Sequence, residues 1–189
     1  DNGVGTQPPA AVDNISITGS NCATPDSLTV INLSSTEATI TCHNTNTSDP
    51  DHYVVSYAQS GSSTWTDENT TTMPYTIQGL TTNTNYVVKV SAFCSANTGS
   101  VYGEEYAFHT PCAPITTLPY TNNFDSDSAG VSAPFISCWQ RNSNYLTGNY
   151  PYVNSTYSSS SSHSLYFYNS GTTYSIAALP QFDTTLYPI

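Results

Sequence analysis

Four histidines, His43, His52, His109 and His163, are the first candidates for proton transfer or metal ligation, and none falls in a pattern that performs either. No nucleophile elbow and no metalloprotease helix signature accompanies them. His109 lies on an alternating run, where it reads as a solvent-facing rung of a strand. Glu104 and Glu105 form a carboxylate pair, but adjacent strand residues point to opposite faces and cannot act together as acid and base. No catalytic residue is therefore assigned. Five cysteines show neither a CxxC motif nor the Cys/His spacing of a zinc site, so disulfides are the reading, with one thiol left over. Hard oxygen donors gather at Asn122–Asp127, where Asn123, Asp125 and Asp127 suit calcium rather than zinc. An Asx-turn uses the same residues without an ion. Tyr145, Tyr150 and Tyr152 lie amid Asn, Ser and Gly, a setting in which rings stack on sugars and amides bond sugar hydroxyls. The same rings would equally serve a core. Trp139, directly after Cys138, reads as core.

The charge balance excludes several partners. Two cations, Lys89 and Arg141, stand against 13 carboxylates, for a net charge of −11 over 189 residues. Nucleic acid needs clustered cations, and so does a basic anchor to anionic lipid. No apolar run approaches the ~20 residues of a membrane helix. The start, Asp1-Asn2-Gly3, has no signal-peptide features, so a secreted form would have been processed or the chain is a piece of a longer one. With 27 Ser, 29 Thr and 12 % aromatics, the chain is too aromatic and too weakly charged for disorder. Its polar surface is built from hydroxyls and amides. Disulfides and this surface point to an oxidising, extracellular or cell-surface setting.

The elements that must position these residues are strands. Short alternating runs recur between turn-forming clusters of Asn, Asp, Gly, Ser and Pro, and helical periodicity is nearly absent. Runs at Leu28–Val30, Ala38–Cys42, Tyr53–Tyr57, around Trp65, Tyr75–Ile77, Tyr86–Ala92 and Tyr106–Phe108 give seven strands, the count of an immunoglobulin-like sandwich. Period two turns Ala38, Ile40, Cys42, Tyr53, Val55, Tyr57, Tyr86, Val88, Val90 and Ala92 inward.

Leu80 to Tyr86 leads into the sixth strand and places a tyrosine where its hydroxyl meets upstream backbone at a sheet corner. With Gly79-Leu80 before it and Val88-x-Val90-x-Ala92 after it, residues 21–112 resemble a fibronectin type III module. Cys42 stands where that family usually has Trp, which leaves core volume for neighbours to fill. The integrin-binding Arg-Gly-Asp loop of some members has no counterpart, because Arg141 is followed by Asn142.

Beyond Pro111-Cys112-Ala113-Pro114 the character changes. Leu118-Pro119-Tyr120, Asn123-Phe124-Asp125, Cys138-Trp139 and Ser164-Leu165-Tyr166-Phe167, in that order, resemble the opening half of jelly-roll modules related to MAM and cleaved-adhesin domains. Such modules accompany type III modules in bacterial surface proteins secreted by the type IX route. They need about eight strands, and residues 113–189 supply four or five, so the second module looks truncated. Residues 1–20, with Val12-Asp13-Asn14-Ile15, resemble the closing strand of a preceding jelly roll and a linker. The expected fold class is all-β, a type III sandwich plus a partial jelly-roll sandwich.

Further expectations come with these resemblances. The type III topology pairs Cys22 with Cys94, and Cys112 with Cys138 across the first strand of the next module, which leaves Cys42 a buried free thiol. Jelly-roll relatives hold a structural calcium, for which Asp13 joins Asp125. O-glycosylation at Asp-Ser/Thr before a small or apolar residue fits Ser27, Ser128 and loosely Thr184. The strand Ala10–Thr18, with either Val12 or Ile15 and Ile17 setting register, could complete a neighbour's truncated module by donor-strand pairing. The expected function is a non-catalytic adhesion and spacer segment of a large modular surface or secreted protein. Its partners are neighbouring modules, further copies of the chain and surface glycans. The alternative is a set of carbohydrate-binding accessory modules of a secreted glycoside hydrolase or protease.

Overall fold

A computed structural model describes residues 22–95, 98–146, 148–158 and 162–186. Seven of the strands in its first part follow from alternating sequence. They are β1 (Asp26–Leu33), β2 (Ala38–His43), β3 (His52–Gln59), β4 (Thr66–Thr70), β5 (Tyr75–Ile77), β6 (Asn85–Ser95) and β8 (Tyr106–His109). The two-residue strand β7 (Thr98–Gly99) is added between the last two. One sheet has the order β1-β2-β5. The other runs β4-β3-β6, with β7 and β8 both on the far edge of β6.

The inner faces of these sheets form one core. Ala38 and Ile40 of β2 and Ile77 of β5 face Tyr53 and Val55 of β3 and Tyr86, Val88, Val90 and Ala92 of β6. Ile40, Ile77, Val55 and Val88 are fully shielded from solvent, and each such side chain stabilises the fold by about 1.5–3 kcal/mol. The Thr81 N–H donates to the Tyr86 hydroxyl at 2.9 Å, which ties the loop before β6 to the strand itself. Tyr86 also stacks on Phe108 at a centroid distance of 5.6 Å, so the corner is anchored in the core as well. In the edge strand β1 the pairing with β2 slips twice, after Asp26 and after Val30. Such bulges make an edge strand a poor template for another chain.

The second part carries β9 (Gln140–Ser143), β10 (Tyr152–Asn154), β11 (Ser164–Tyr166) and β12 (Ser175–Ala178). Strands β9 and β12 pair antiparallel, as do β10 and β11, and a parallel bridge joins Ile115 to Phe182. Among the described residues, Ile115, Ile136, Pro151 and Val153 are its buried apolar side chains. This is a second β-sandwich region of two open, two-stranded sheets. Jelly-roll closure is not formed among the described residues. The strand number matches the expectation, but paired strands of three or four residues are too short to wrap a barrel-like double sheet. Asp13 and the strand Ala10–Thr18 lie outside the described residues.

Candidate functional site

The aromatic residues of the second region converge. Tyr150 sits at the centre, with ring centroids 5.3 Å from Tyr145, 5.5 Å from Tyr152, 6.4 Å from Tyr166 and 5.3 Å from Tyr168. Tyr157 extends the group by stacking on Tyr166 at 5.8 Å. Strand alternation explains part of this: Tyr152 and Tyr166 are directly paired across β10 and β11. A loop contact explains the rest. Gly148 has φ of 114°, and a Cβ there would lie 2.9 Å from the Tyr150 ring, so only glycine lets the chain pass. Arg141 fixes the same loop, donating to the carbonyls of Asn149 at 3.1 Å and Pro151 at 3.3 Å. The ring planes decide what the cluster can do. Tyr145 and Tyr150 meet at 81°, and Tyr150 and Tyr152 at 53°. A sugar-stacking strip needs coplanar, exposed faces, whereas these three half-buried rings present edges and faces to one another.

Asp125 closes a loop rather than opening a cage. Its Oδ1 accepts the His163 N–H at 3.0 Å, and its Oδ2 accepts the Asn123 amide nitrogen at 3.0 Å. Asn123 Oδ1 in turn accepts the Asp125 N–H at 3.3 Å, which fixes the orientation of that amide. Each carboxylate oxygen of Asp125 thus accepts an N–H donor. Among the described residues, no three of His, Cys, Asp or Glu converge. The present arrangement is an Asx-turn clasp holding residues 122–127 to 162–163. Beside it, the Trp139 indole donates to the Tyr120 hydroxyl at 3.0 Å and meets Phe124 edge-on at 5.8 Å.

The two sandwiches meet at the loop before β6. The Asn83 N–H donates to the Pro111 carbonyl at 3.2 Å. The Thr82 hydroxyl donates to the same carbonyl and accepts the Ala113 N–H, both at 2.8 Å. The Asn83 amide reaches Ser137 at 2.9 Å, one residue from the Cys112–Cys138 disulfide. The other disulfide, Cys22–Cys94, joins the segment entering β1 to the end of β6. Cys42 is the free cysteine.

Two packed sheets in the order β1-β2-β5 and β4-β3-β6-β8, with a tyrosine corner entering β6, describe one known architecture. Residues 23–106 match the family model of the fibronectin type III domain. The first domain is fibronectin type III-like. No curated protein matches the chain. Among solved structures, it is similar to a myokine structure at 21 % identity over 47 % of this chain and 97 % of that one, with a TM-score of 0.43. It is similar to the FN1–FN3 domains of chicken CNTN1 at 20 % identity over 47 % and 32 % of the two chains, with a TM-score of 0.42. Titin domains A168–A170 give 20 % identity over 48 % and 32 %, with a TM-score of 0.44.

Within the type III-like domain, the expected site residues are dispersed. His109 is exposed on β8 and bonds Asn85 and Asn83, at 3.0 and 3.1 Å. Glu104 and Glu105 are exposed, and Glu105 lies 3.9 Å from the Lys89 ammonium. Ser27 is exposed on β1, and Ser128 and Thr184 are exposed in the second region. Cys42 is half-buried rather than buried: it is the last residue but one of β2 and packs against the core without entering it. Burial and the nearby Asp26 carboxylate push its thiol up to about 11. Two polar contacts of the type III-like domain were not foreseen from sequence. The Lys89 ammonium sits 3.7 Å from the Trp65 ring centroid and 5.0 Å from that of Tyr102. Glu68 of β4 accepts the Tyr57 hydroxyl at 3.0 Å and also the Tyr75 hydroxyl, so one carboxylate spans both sheets. Glu-Asn-Thr on a short polar strand carries no pattern that marks such a pairing.

Proposed function

We propose that the chain is a non-catalytic, extracellular spacer and adhesion segment of a larger modular surface or secreted protein. On this reading residues 21–112 form one module and 113–189 belong to a second, jelly-roll-related one. The type III-like domain is itself a non-catalytic module. The carrying observation is the route of the covalent chain through its two disulfides. Tension applied along the chain passes from Cys22 directly to Cys94, and from Cys112 directly to Cys138. Stretches with sequence separations of 72 and 26 residues then lie outside the path of force. A spacer that must keep its length benefits from that arrangement, and an oxidising compartment maintains it. The hydrogen bonds from Thr82 and Asn83 to the linker, with the bridge at Cys138, restrict rotation between the modules. The accessory carbohydrate-binding reading has less support, because Tyr145, Tyr150 and Tyr152 spend their faces on one another.

Small-angle scattering of the intact chain tests this. A fixed separation of the two modules is expected, lost in the Cys112→Ser/Cys138→Ser variant. Identical scattering from the two proteins would refute the spacer reading.

A further inference from the structure

A groove of about 610 Å³ opens where the edge of β1 faces the segment between β7 and β8. Its size falls in the range of ligand sites, and its walls are held in place. The Gly103 N–H donates to the Val90 carbonyl at 2.9 Å, and the Thr24 hydroxyl donates to the Val101 carbonyl at 3.3 Å. A Cβ at Gly103 would stand 2.9 Å from the Pro25 carbonyl oxygen, so the close approach of the two walls requires glycine. Cys42 lines the groove from the end of β2, and its small side chain leaves the space open.

The lining has two characters. Buried Val90 and half-buried Leu28, Cys42 and Tyr106 supply an apolar floor. Asp26, Glu104 and Glu105 supply an exposed acidic rim, and no Lys, Arg or His is among the lining residues. Asp26 pairs with His43 at 3.0 Å and Glu105 lies 3.9 Å from Lys89, while Glu104 has no ion pair among the described residues. We propose that this groove receives a lysine side chain presented by an extended segment of a partner protein. The methylene stem lies along Leu28, Val90 and Tyr106, and the ammonium reaches the rim. A compact ammonium with rotatable donors suits carboxylates spread around a mouth, whereas a planar guanidinium needs one carboxylate in its own plane. The chain's net charge of −11 draws such a segment in.

The test is a titration of the intact chain with a capped Gly-Lys-Gly peptide, followed by amide chemical shifts. Shifts confined to Cys42, Val90, Gly103, Tyr106 and their neighbours are expected. The norleucine peptide, which keeps the stem and loses the charge, should bind at least tenfold more weakly. The exposed-site variant Glu104→Gln/Glu105→Gln should weaken the lysine peptide at least fivefold with an unchanged unfolding midpoint. Cys42→Met, which fills the groove, should abolish binding. Equal affinity for the norleucine peptide, shifts spread over the whole acidic surface, no shifts, or full affinity in the carboxamide variant would each overturn the proposal.

Discussion

Replacing Glu68 tests whether one carboxylate holds an edge of the type III-like sandwich together. Strand β4 is the outer strand of one sheet and β5 the outer strand of the other, and only side chains can join them. Glu68 does so by accepting the hydroxyls of Tyr57 and Tyr75. A hydrogen bond to a charged group contributes about 1.5–3 kcal/mol. The site is half-buried, and solvent screening reduces that figure, so Glu68→Ala should cost about 2 kcal/mol for the two bonds together. At roughly 4–8 °C per kcal/mol for a domain of this size, the midpoint should fall by roughly 8–16 °C. Glu68→Gln keeps an acceptor and should lose about half as much. Denaturant unfolding under non-reducing conditions measures both. Glu68→Ala should have almost no further effect once Tyr57 and Tyr75 are phenylalanine. The pH dependence has a definite sign. Burial and then the Glu68 bond push Tyr57 up to about 12, and the Glu68 bond, then burial, push Tyr75 up to about 12. A raised folded pKa stabilises fully below the ordinary tyrosine value of 10, and that contribution is lost as pH climbs from 10 toward 12. Tyrosinate absorbance should therefore lag in the wild type and appear earlier in Glu68→Gln. Stabilities within 0.5 kcal/mol of wild type for both variants, a margin of about the usual surface-substitution size, would refute the reasoning.

Cys42 should resist alkylation in the folded chain at mildly alkaline pH, since little of a thiol pushed up to about 11 is ionised there. Mass spectrometry should find a single label, rapid only after unfolding, and Asp26→Asn should speed the native reaction. Asp125 gives a second check. Calcium and a chelator should leave the unfolding midpoint unchanged, while Asp125→Asn lowers the stability by about 1 kcal/mol through the weakened clasp on His163. A calcium-dependent rise that the variant abolishes would place an ion at Asp125.

Much of the first domain was legible because burial there has period two. The alternation in Ala38–Cys42 and Tyr86–Ala92 states which face is inside, and Tyr86 marks the corner by position alone. Strand β7 was not legible, since Thr98 and Gly99 are too few to show a period. Glu68 was missed for a different reason. Its two hydroxyl partners come from β3 and β5, and no local sequence says which outer strands will meet. In the second region the landmarks Cys138-Trp139 and Ser164-Leu165-Tyr166-Phe167 lie just before β9 and on β11, but they do not say how the sheets close. The tyrosine spacing also left two readings open, because ring orientation depends on Gly148 and Arg141. Composition indicates rings and amides in one place; only the tilt distinguishes a platform from a packed cluster.

Pulling the chain by its two ends in a force-extension measurement tests the spacer account most directly. With both disulfides intact, the bridged stretches should give no extension, and unfolding of the sandwich should release none of the residues between Cys22 and Cys94. Reduction should then add about 240–260 Å for the separation of 72 residues and about 90 Å for that of 26, at about 3.3–3.6 Å per residue. Equal contour lengths before and after reduction would contradict the account, because tension would then run through the sandwiches rather than around them.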